Sequence, residues 1–415
     1  MAMLMFHRLD QNQDGGASIR TVIKLMFLNA NCFMLRDPIF GLLNPTTMRL
    51  FLYLLFTMIV ANLSAQSPTS SSLDTLLPVR GLCLGAPSGE DLDRFVQFVD
   101  EECSKLNVNL LVLRVGTNYR YQSRPELANP NGLTKEQVKK IVAVARKHGI
   151  RIVPMVNLLG HQSWHGNLGK LLTAYPEFDE TPWVDLPTGK YEWPNEDGLY
   201  CKSYCPLHPG VHEVVFDLVD EITEVFEADA FHAGMDEVFY LAEDKCPRCG
   251  GRDPAELFAG EVTRIRNHLA TSGKELWIWG DRLIDGKTTG IGEWEASLNN
   301  TARALQLIPR DVVINDWHYD RADPTAALFA LNGLRVITCP WRKSDVALAE
   351  LDLMLDFRAG ATPATKDRYQ GMMQTVWSST SNFLDVYYGK AENKDPNGDQ
   401  DACFKDLFEA IGQLK

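Results

Sequence analysis

A single (β/α)8 TIM barrel with long βα loops is the fold this sequence predicts, within the α/β class. Short apolar runs alternate with longer helical patterns about eight times between Val79 and Ile411, the rhythm of parallel βαβ units. Many of the runs are apolar throughout rather than alternating, as expected of strands buried on both faces. No G-x-G-x-x-G follows the first run, which counts against the competing doubly wound dinucleotide-binding sheet.

The elements follow in order. Val79–Leu84 reads as the first strand and Gly89–Leu106 as a helix. Asn109–Val115 is a strand, followed by a helix over Thr134–His148. Thr134 with Gln137 three residues on forms a capping box, and Gly149 closes that helix. Ile150–Val156 is the third strand. A long insertion runs from Asn157 to about His208, and Val211–Phe226 is helical. Ala228–Gly234 is a strand, Pro254–Thr271 a helix and Glu275–Trp279 a strand. Weaker repeats follow: strand Val312–Asn315, helix Thr325–Leu331, strand Arg335–Thr338, helix Asp345–Asp356, strand Met372–Val376 and helix Cys403–Ile411, with Asn382–Gln400 a largely polar loop. An active site in such a barrel lies at the C-terminal ends of the strands.

The N-terminal part divides differently. Met48-Arg49, the apolar run Leu50–Ala61 and the small-residue exit through Ala65 have the three ordered parts of a secretory signal, too short for a comfortable membrane span. Residues 48–65 are therefore expected to be a signal peptide. On that reading Met1–Thr47 is a mis-assigned or disordered extension, 66–76 a linker and 77–415 the barrel, exported to the periplasm or the medium with no stable membrane span after cleavage. Asp10–Gly15 has the look of a calcium loop, but Thr21 stands where the bidentate Glu is needed, so the match is set aside.

Acidic residues number 54 against 41 basic ones, a formal charge of −13. A surface of that sign repels phosphate backbones and excludes nucleic acid as a natural partner. Neutral carbohydrate fits it better. The chemistry-bearing stretch is Phe231-His232-Ala233-Gly234-Met235-Asp236-Glu237-Val238 at a predicted strand end. Two adjacent carboxylates buried there would be costly without a task. In a regular strand they would point to opposite faces, so the chain must turn for both to reach one site. Gly234 eases that bend. Other strand ends carry Trp277 and Trp279, Trp317 with His318 and Tyr319, Trp341, and Trp377. A mouth ringed by aromatics suits the C–H faces of sugar rings, and apolar walls would keep one carboxylic acid protonated for donation to a leaving oxygen.

These residues resemble glycoside hydrolase family 20, the β-N-acetylhexosaminidases. The family's H-x-G-G-D-E reads here His232-Ala233-Gly234-Met235-Asp236-Glu237. Arg80-Gly81-Leu82 is similar to its first-strand R-G segment. Gly160-His161 with Ala174-Tyr175-Pro176-Glu177 is similar to its G-H and A-Y-P-E stretches. Trp279-Gly280-Asp281 is similar to W-D-E and Trp377-Ser378 to W-S-E. The resemblance implies removal of terminal β-linked N-acetylhexosamine with retention, the sugar's own acetamido oxygen attacking the anomeric carbon. Glu237 would be the general acid and base, and Asp236 would hold the acetamido group. Trp279, Trp317 and Trp377 would wall the acetamido pocket. Arg80, His161, His232, Asp281 and Tyr319 complete the substrate contacts, with no cofactor and no metal at the catalytic centre. Four places depart from the family: Met235 replaces a glycine, Arg114–Asn118 stands for H-L-x-D-D, Ser379 replaces the Glu of W-S-E, which grips outer sugar hydroxyls in the family, and Cys339-Pro340-Trp341-Arg342 lacks the acetamido-binding Tyr, for which Tyr319 is the substitute. They leave open a glycosidase for another sugar, or a non-catalytic carbohydrate-binding barrel.

Nine cysteines are scattered along the chain. Cys246-Pro247-Arg248-Cys249-Gly250 has the form of a zinc knuckle, which Cys201 and Cys205 could complete. Disulfides and free thiols remain alternatives. His161 and His165, four residues apart, lack a matching carboxylate motif and read as structural or substrate contacts.

Overall fold

The computed structural model describes residues 72–189 and 201–414. The expected extension, signal peptide and most of the linker lie outside the described residues. Eight parallel strands close a barrel in sequence order: β1 (Val79–Gly85), β2 (Leu110–Arg114), β3 (Arg151–Leu158), β4 (Ala230–Gly234), β5 (Glu275–Trp279), β6 (Val313–Asp316), β7 (Arg335–Thr338) and β8 (Tyr369–Thr375). Around them run α1 (Leu92–Phe98), α2 (Lys135–Lys147), α3 (Val211–Val225), α4 (Pro254–Ala270), α5 (Ala326–Leu331), α6 (Ser344–Gly360), α7 (Thr380–Tyr387) and α8 (Gln400–Gln413).

Two apolar layers result. Between strands and helices lies the large core, with Phe95, Phe98, Val142, Phe231, Phe258, Ile314 and Phe404 buried in it. Inside the barrel a second cluster, including Cys83, Val112, Val153, Trp277, Val313, Ile337 and Met373, fills the lumen. Strands that face both layers must be apolar throughout, which is the pattern the sequence displays.

The local signals explain most boundaries. Thr134 caps α2 with both halves of its capping box formed, and Asp253 caps α4 through the N–H groups of Ala255 and Glu256. Two segments differ from expectation, and a third, the long connection from β5 to β6 for which the sequence predicts no helix, matches it. The helix predicted over Gly89–Leu106 is α1 running into a π turn over Val99–Cys103. No long helix separates β5 from β6, only the short helices Gly286–Thr289 and Ala302–Gln306 with a turn at Asp281–Leu283. The polar stretch after β8 opens with α7: the Ser379 hydroxyl accepts the N–H of Asn382, and Phe383 and Leu384 are buried. A polar composition hid those anchors.

The expected linker also contributes to the barrel. Ser72–Leu76 is a helix held against the N-terminal end. Buried Arg358 donates to the carbonyls of Thr75 and Leu76, and Leu77 is fully buried. The same end carries a charged layer in which Glu275 bridges Arg151 and Arg335 at 2.6 Å each.

Closure of the ring depends on Gly371 in β8. Its φ is +141°, it sits at the register shift against β7, and a Cβ there would stand 2.1 Å from the carbonyl oxygen of Val79 in β1. A glycine in a strand marks such a close backbone approach. Gly371→Ala is expected to lower the unfolding free energy by about 2–4 kcal/mol, read from denaturant unfolding. An unchanged midpoint would contradict this account of closure.

Candidate active site

The mouth of the barrel gathers residues from seven strand ends. β4 ends at Gly234, and the chain then makes a turn in which Gly234, Met235 and Glu237 all have positive φ, +68°, +66° and +48°. That turn brings Asp236 and Glu237 to one side despite their adjacency. A Cβ at Gly234 would meet the Asn157 side chain at 2.4 Å, so glycine is required there. Met235 bears a left-handed cost of about 1–2 kcal/mol, offset by complete burial of its side chain, worth about 1.5–3 kcal/mol. That offset is why a methionine stands where the family motif has glycine. The facing loop after β3 is bent in the same way, with Leu159 at φ +62° and His161 at +53°. Backbone strain of this kind concentrates at functional sites.

His161 stands between the two carboxylates. Its Nε2 lies 3.1 Å from Asp236 Oδ2 and 2.9 Å from Glu237 Oε2. Burial works against charge on both His161 and Asp236. The pair nevertheless holds His161 well above the usual imidazole range and Asp236 below the usual carboxylate value, because each charge stabilises the other. Asp236 Oδ1 is buried without a hydrogen-bond partner in the protein. The far side of the His161 ring meets Cys201, Nδ1 to Sγ 3.5 Å, and the same thiol lies 3.9 Å from Glu237 Oε2.

Asp281 supports this turn from β5. Its Oδ2 accepts the backbone N–H of Glu237 at 2.9 Å and the Nε–H of Arg282 at 2.7 Å. Its Oδ1 accepts the indole N–H of Trp317 at 3.3 Å. Asp281 and Arg282 are each 1% exposed, so Asp281 is a positioning residue and not the substrate contact expected of it. Burial pushes its pKa up to about 6, with Arg282 pulling the other way. His232 is likewise fully buried. Burial lowers its pKa to about 3, so it is neutral. Its Nδ1 accepts the N–H of Gly234 at 3.0 Å, which places it in the floor of the site.

The aromatic wall forms as expected at four positions. The rings of Trp279 and Trp377 are 6.0 Å apart, and those of Trp317 and Tyr319 4.8 Å. The Trp377 indole N–H donates to Tyr319 Oη at 2.8 Å. Trp341 joins through Tyr319 at 5.1 Å. Buried His318, bound to Glu295 at 2.8 Å, ties the Trp317–Tyr319 loop to the loop after β5, where Glu295 also accepts the N–H of Tyr319. Trp277 does not reach the mouth. It fills the lumen, with the Arg151 guanidinium over its ring at 5.3 Å.

Arg80 is the clearest correction. It starts β1 and therefore lies at the opposite end of the barrel, where it donates to Leu77 O, Asn107 O and Asp74. Among the arginines at the mouth is Arg114, at the end of β2. Its guanidinium lies 4.4 Å from the centre of the Trp377 ring and donates to Val376 O. A basic residue ending an apolar run was the available signal for it. A cleft of about 370 Å³ is lined among others by Arg114, Asn157, His161 and Trp377, a size in the range of small-ligand sites; Asp236 and Glu237 are not in its lining, and His161 is the residue it shares with them. Cys201 was also misplaced in the reading of the sequence: it stands at His161, and Glu180 takes the fourth place beside Cys205, Cys246 and Cys249.

Fold and site define a (β/α)8 barrel with a buried acid pair in an aromatic mouth. Residues 111–400 match the sequence model of the glycosyl hydrolase family 20 catalytic domain, and the chain belongs to that family. The match starts beyond β1 and so excludes Arg80. A beta-hexosaminidase of Porphyromonas gingivalis is 26% identical over 217 residues, 48% of this chain and 26% of its own length. A lacto-N-biosidase of Bifidobacterium bifidum is 24% identical over 240 residues, 55% of this chain and 18% of its own. The chain thus spans about a quarter or less of these relatives. The structure of a Flavobacterium johnsoniae chitobiase shares the fold, with a TM-score of 0.54 and 17% identity over 80% of this chain and 50% of that one.

Asp281→Asn is expected to cost about 3 kcal/mol, since buried Arg282 loses its carboxylate. Its folded pKa of about 6 lies above the ordinary 3.8. Asp281 therefore favours folding below the lower value, and this contribution is lost as pH rises through the higher one. The stability difference between parent and variant should shrink from about pH 4 to about pH 6; a difference flat across that window would refute the assignment.

Proposed function

We propose that the chain removes terminal β-linked N-acetylhexosamine by a retaining, substrate-assisted reaction. The observation that carries the reading is Asp236 Oδ1, a buried carboxylate oxygen with no protein partner, on a residue held charged beside Glu237. An acetamido N–H is the donor such an oxygen calls for. In the first step Glu237 gives its proton to the glycosidic oxygen as the C1–O bond breaks. The acetamido carbonyl oxygen forms the new bond to C1, and Asp236 stabilises the positive ring so made. In the second step Glu237 takes a proton from water as the water oxygen attacks C1 and the ring opens. Two inversions give net retention. Held as a cation, His161 balances Asp236, so the pair and the imidazolium together are neutral when Glu237 carries its proton. Trp279, Trp317 and Trp377 would close the apolar pocket around the acetamido methyl.

A second reading, the same barrel acting on a different sugar, is favoured by two positions. Ser379 caps α7 and Arg80 lies at the far end, so the hydroxyl grip implied by the resemblance is absent at both. Arg114 over Trp377 and Arg342 over Trp341 are cations beside the aromatic wall that would recognise sugar hydroxyls. Export belongs to the same proposal and rests on the Met48–Ala65 pattern alone.

The test is hydrolysis of chromogenic β-N-acetylglucosaminide and β-N-acetylgalactosaminide by the full chain. Glu237→Gln is expected to lower kcat by about 10²–10⁴-fold. Asp236→Asn should also lower kcat, leaving no advantage for substrates with a 2-acetamido group over those without. If the parent turns over neither substrate nor longer N-acetylated oligomers, the different-sugar reading replaces the first.

A further inference from the structure

Glu180, Cys205, Cys246 and Cys249 form a closed group away from the acid pair. All four are buried, and one donor atom from each lies within 4.8 Å of the other three. Cys205 Sγ is 3.3 Å from Cys249 Sγ and 3.7 Å from Cys246 Sγ. Thiolates around a tetrahedral zinc, each about 2.3 Å from the ion, stand about 3.8 Å from one another. The sulfurs are therefore spaced as ligands around a small ion.

The main chain prepares this arrangement. The N–H of Glu180 donates to Ser203 O at 3.0 Å and that of Cys205 to Phe178 O at 2.7 Å, so two distant parts of the β3 loop run side by side and present one ligand each. Lys202 fastens the same junction, its ammonium 2.8 Å from Asp179 Oδ2. On the β4 loop, Cys246 and Cys249 share a tight turn in which the N–H of Cys249 donates to Cys246 Sγ at 3.4 Å.

The carboxylate decides among the uses of the three thiols. Glu180 is 0% exposed. Its Oε1 accepts the N–H of Glu243 at 3.3 Å, while Oε2 has no hydrogen-bond partner. A disulfide would join two of the sulfurs and leave the third beside a buried Glu180 oxygen that has no hydrogen-bond partner. A divalent cation satisfies all four groups together. Three soft thiolates select zinc over calcium, magnesium or manganese. Four protein ligands leave no open position, the mark of a structural site. The grouping of Glu295, His318 and Asp323 makes no comparable case, since both ring nitrogens of His318 already have partners in Glu295 and Thr325.

We propose that Glu180, Cys205, Cys246 and Cys249 bind a structural zinc ion that clamps the β3 loop to the β4 loop. The clamp acts on the catalytic mouth through short stretches of chain. Cys205 lies four residues from Cys201, whose thiol meets His161, and Cys246 follows Glu237 on the same loop. Zinc thus holds the turn that presents the acid pair.

The test is the metal content of the full chain, grown with zinc and dialysed against metal-free buffer. Close to one zinc per chain is expected, with loss of the metal in Cys249→Ser and weakened retention in Glu180→Gln. Titrating the unaltered protein with an organomercurial should release zinc in step with thiol modification, which guards against a variant that merely misfolds. Cobalt(II) in place of zinc should give thiolate charge-transfer bands and the intense d–d absorption of a tetrahedral site. Zinc no higher than in Cys249→Ser, a cobalt spectrum without thiolate bands, or peptides showing Cys205 disulfide-bonded to Cys246 or Cys249 would overturn the proposal.

Discussion

The left-handed turn from Gly234 to Glu237 is the constraint on which the site depends. Adjacent carboxylates in an extended strand diverge, and only a reversal of φ brings both to one cavity. Two positive-φ residues other than glycine, Met235 and Glu237, are expensive, so the turn exists only where its surroundings compel it. Asp281 binds the Glu237 N–H from one side, and His161 faces the carboxylates from the other. Neutral His232 holds Gly234 from below. Met235 repays its strain through burial. Removing any of these releases a backbone that has no preference of its own for this shape.

Electrostatics and burial cooperate here in a way neither achieves alone. Burial by itself would discharge Asp236 and His161, whereas their mutual attraction in a site of low effective dielectric keeps both charged. Asp281 is pushed toward protonation by its burial and by the neighbouring charge of Asp236, although Arg282 stands 2.7 Å away. Asp236 and Asp281, in one mouth, are thus driven in opposite directions by their surroundings.

The charged layer at the other end of the barrel has a different character. Arg80, Arg151, Glu275 and Arg335 pair among themselves and with carbonyl groups, and they seal the lumen where the strands begin. Polar residues at that end serve closure of the fold, whereas the strand C-termini carry the candidate site.

The strand rhythm, the capping box at Thr134 and the turn at Gly234 were legible because each is a local property of the chain: apolar period, side-chain-to-backbone reach, permitted φ. The acid pair was legible for the same reason, standing at the end of an apolar run. Misplaced residues share one feature, that their partners are remote. Arg80 and Arg114 both flank apolar runs, and only closure of the sheet reveals that one begins its strand and the other ends it. Ser379 replaces a catalytic-family Glu, yet its hydroxyl caps α7, which the polar sequence after β8 did not announce. The sequence alone determined the barrel, the identity of the carboxylates and the aromatic supply at strand ends. Tertiary structure decided that Cys201 meets His161 across 40 residues while Glu180 joins Cys205, Cys246 and Cys249, because partnership between loops depends on where the barrel sets their ends in space.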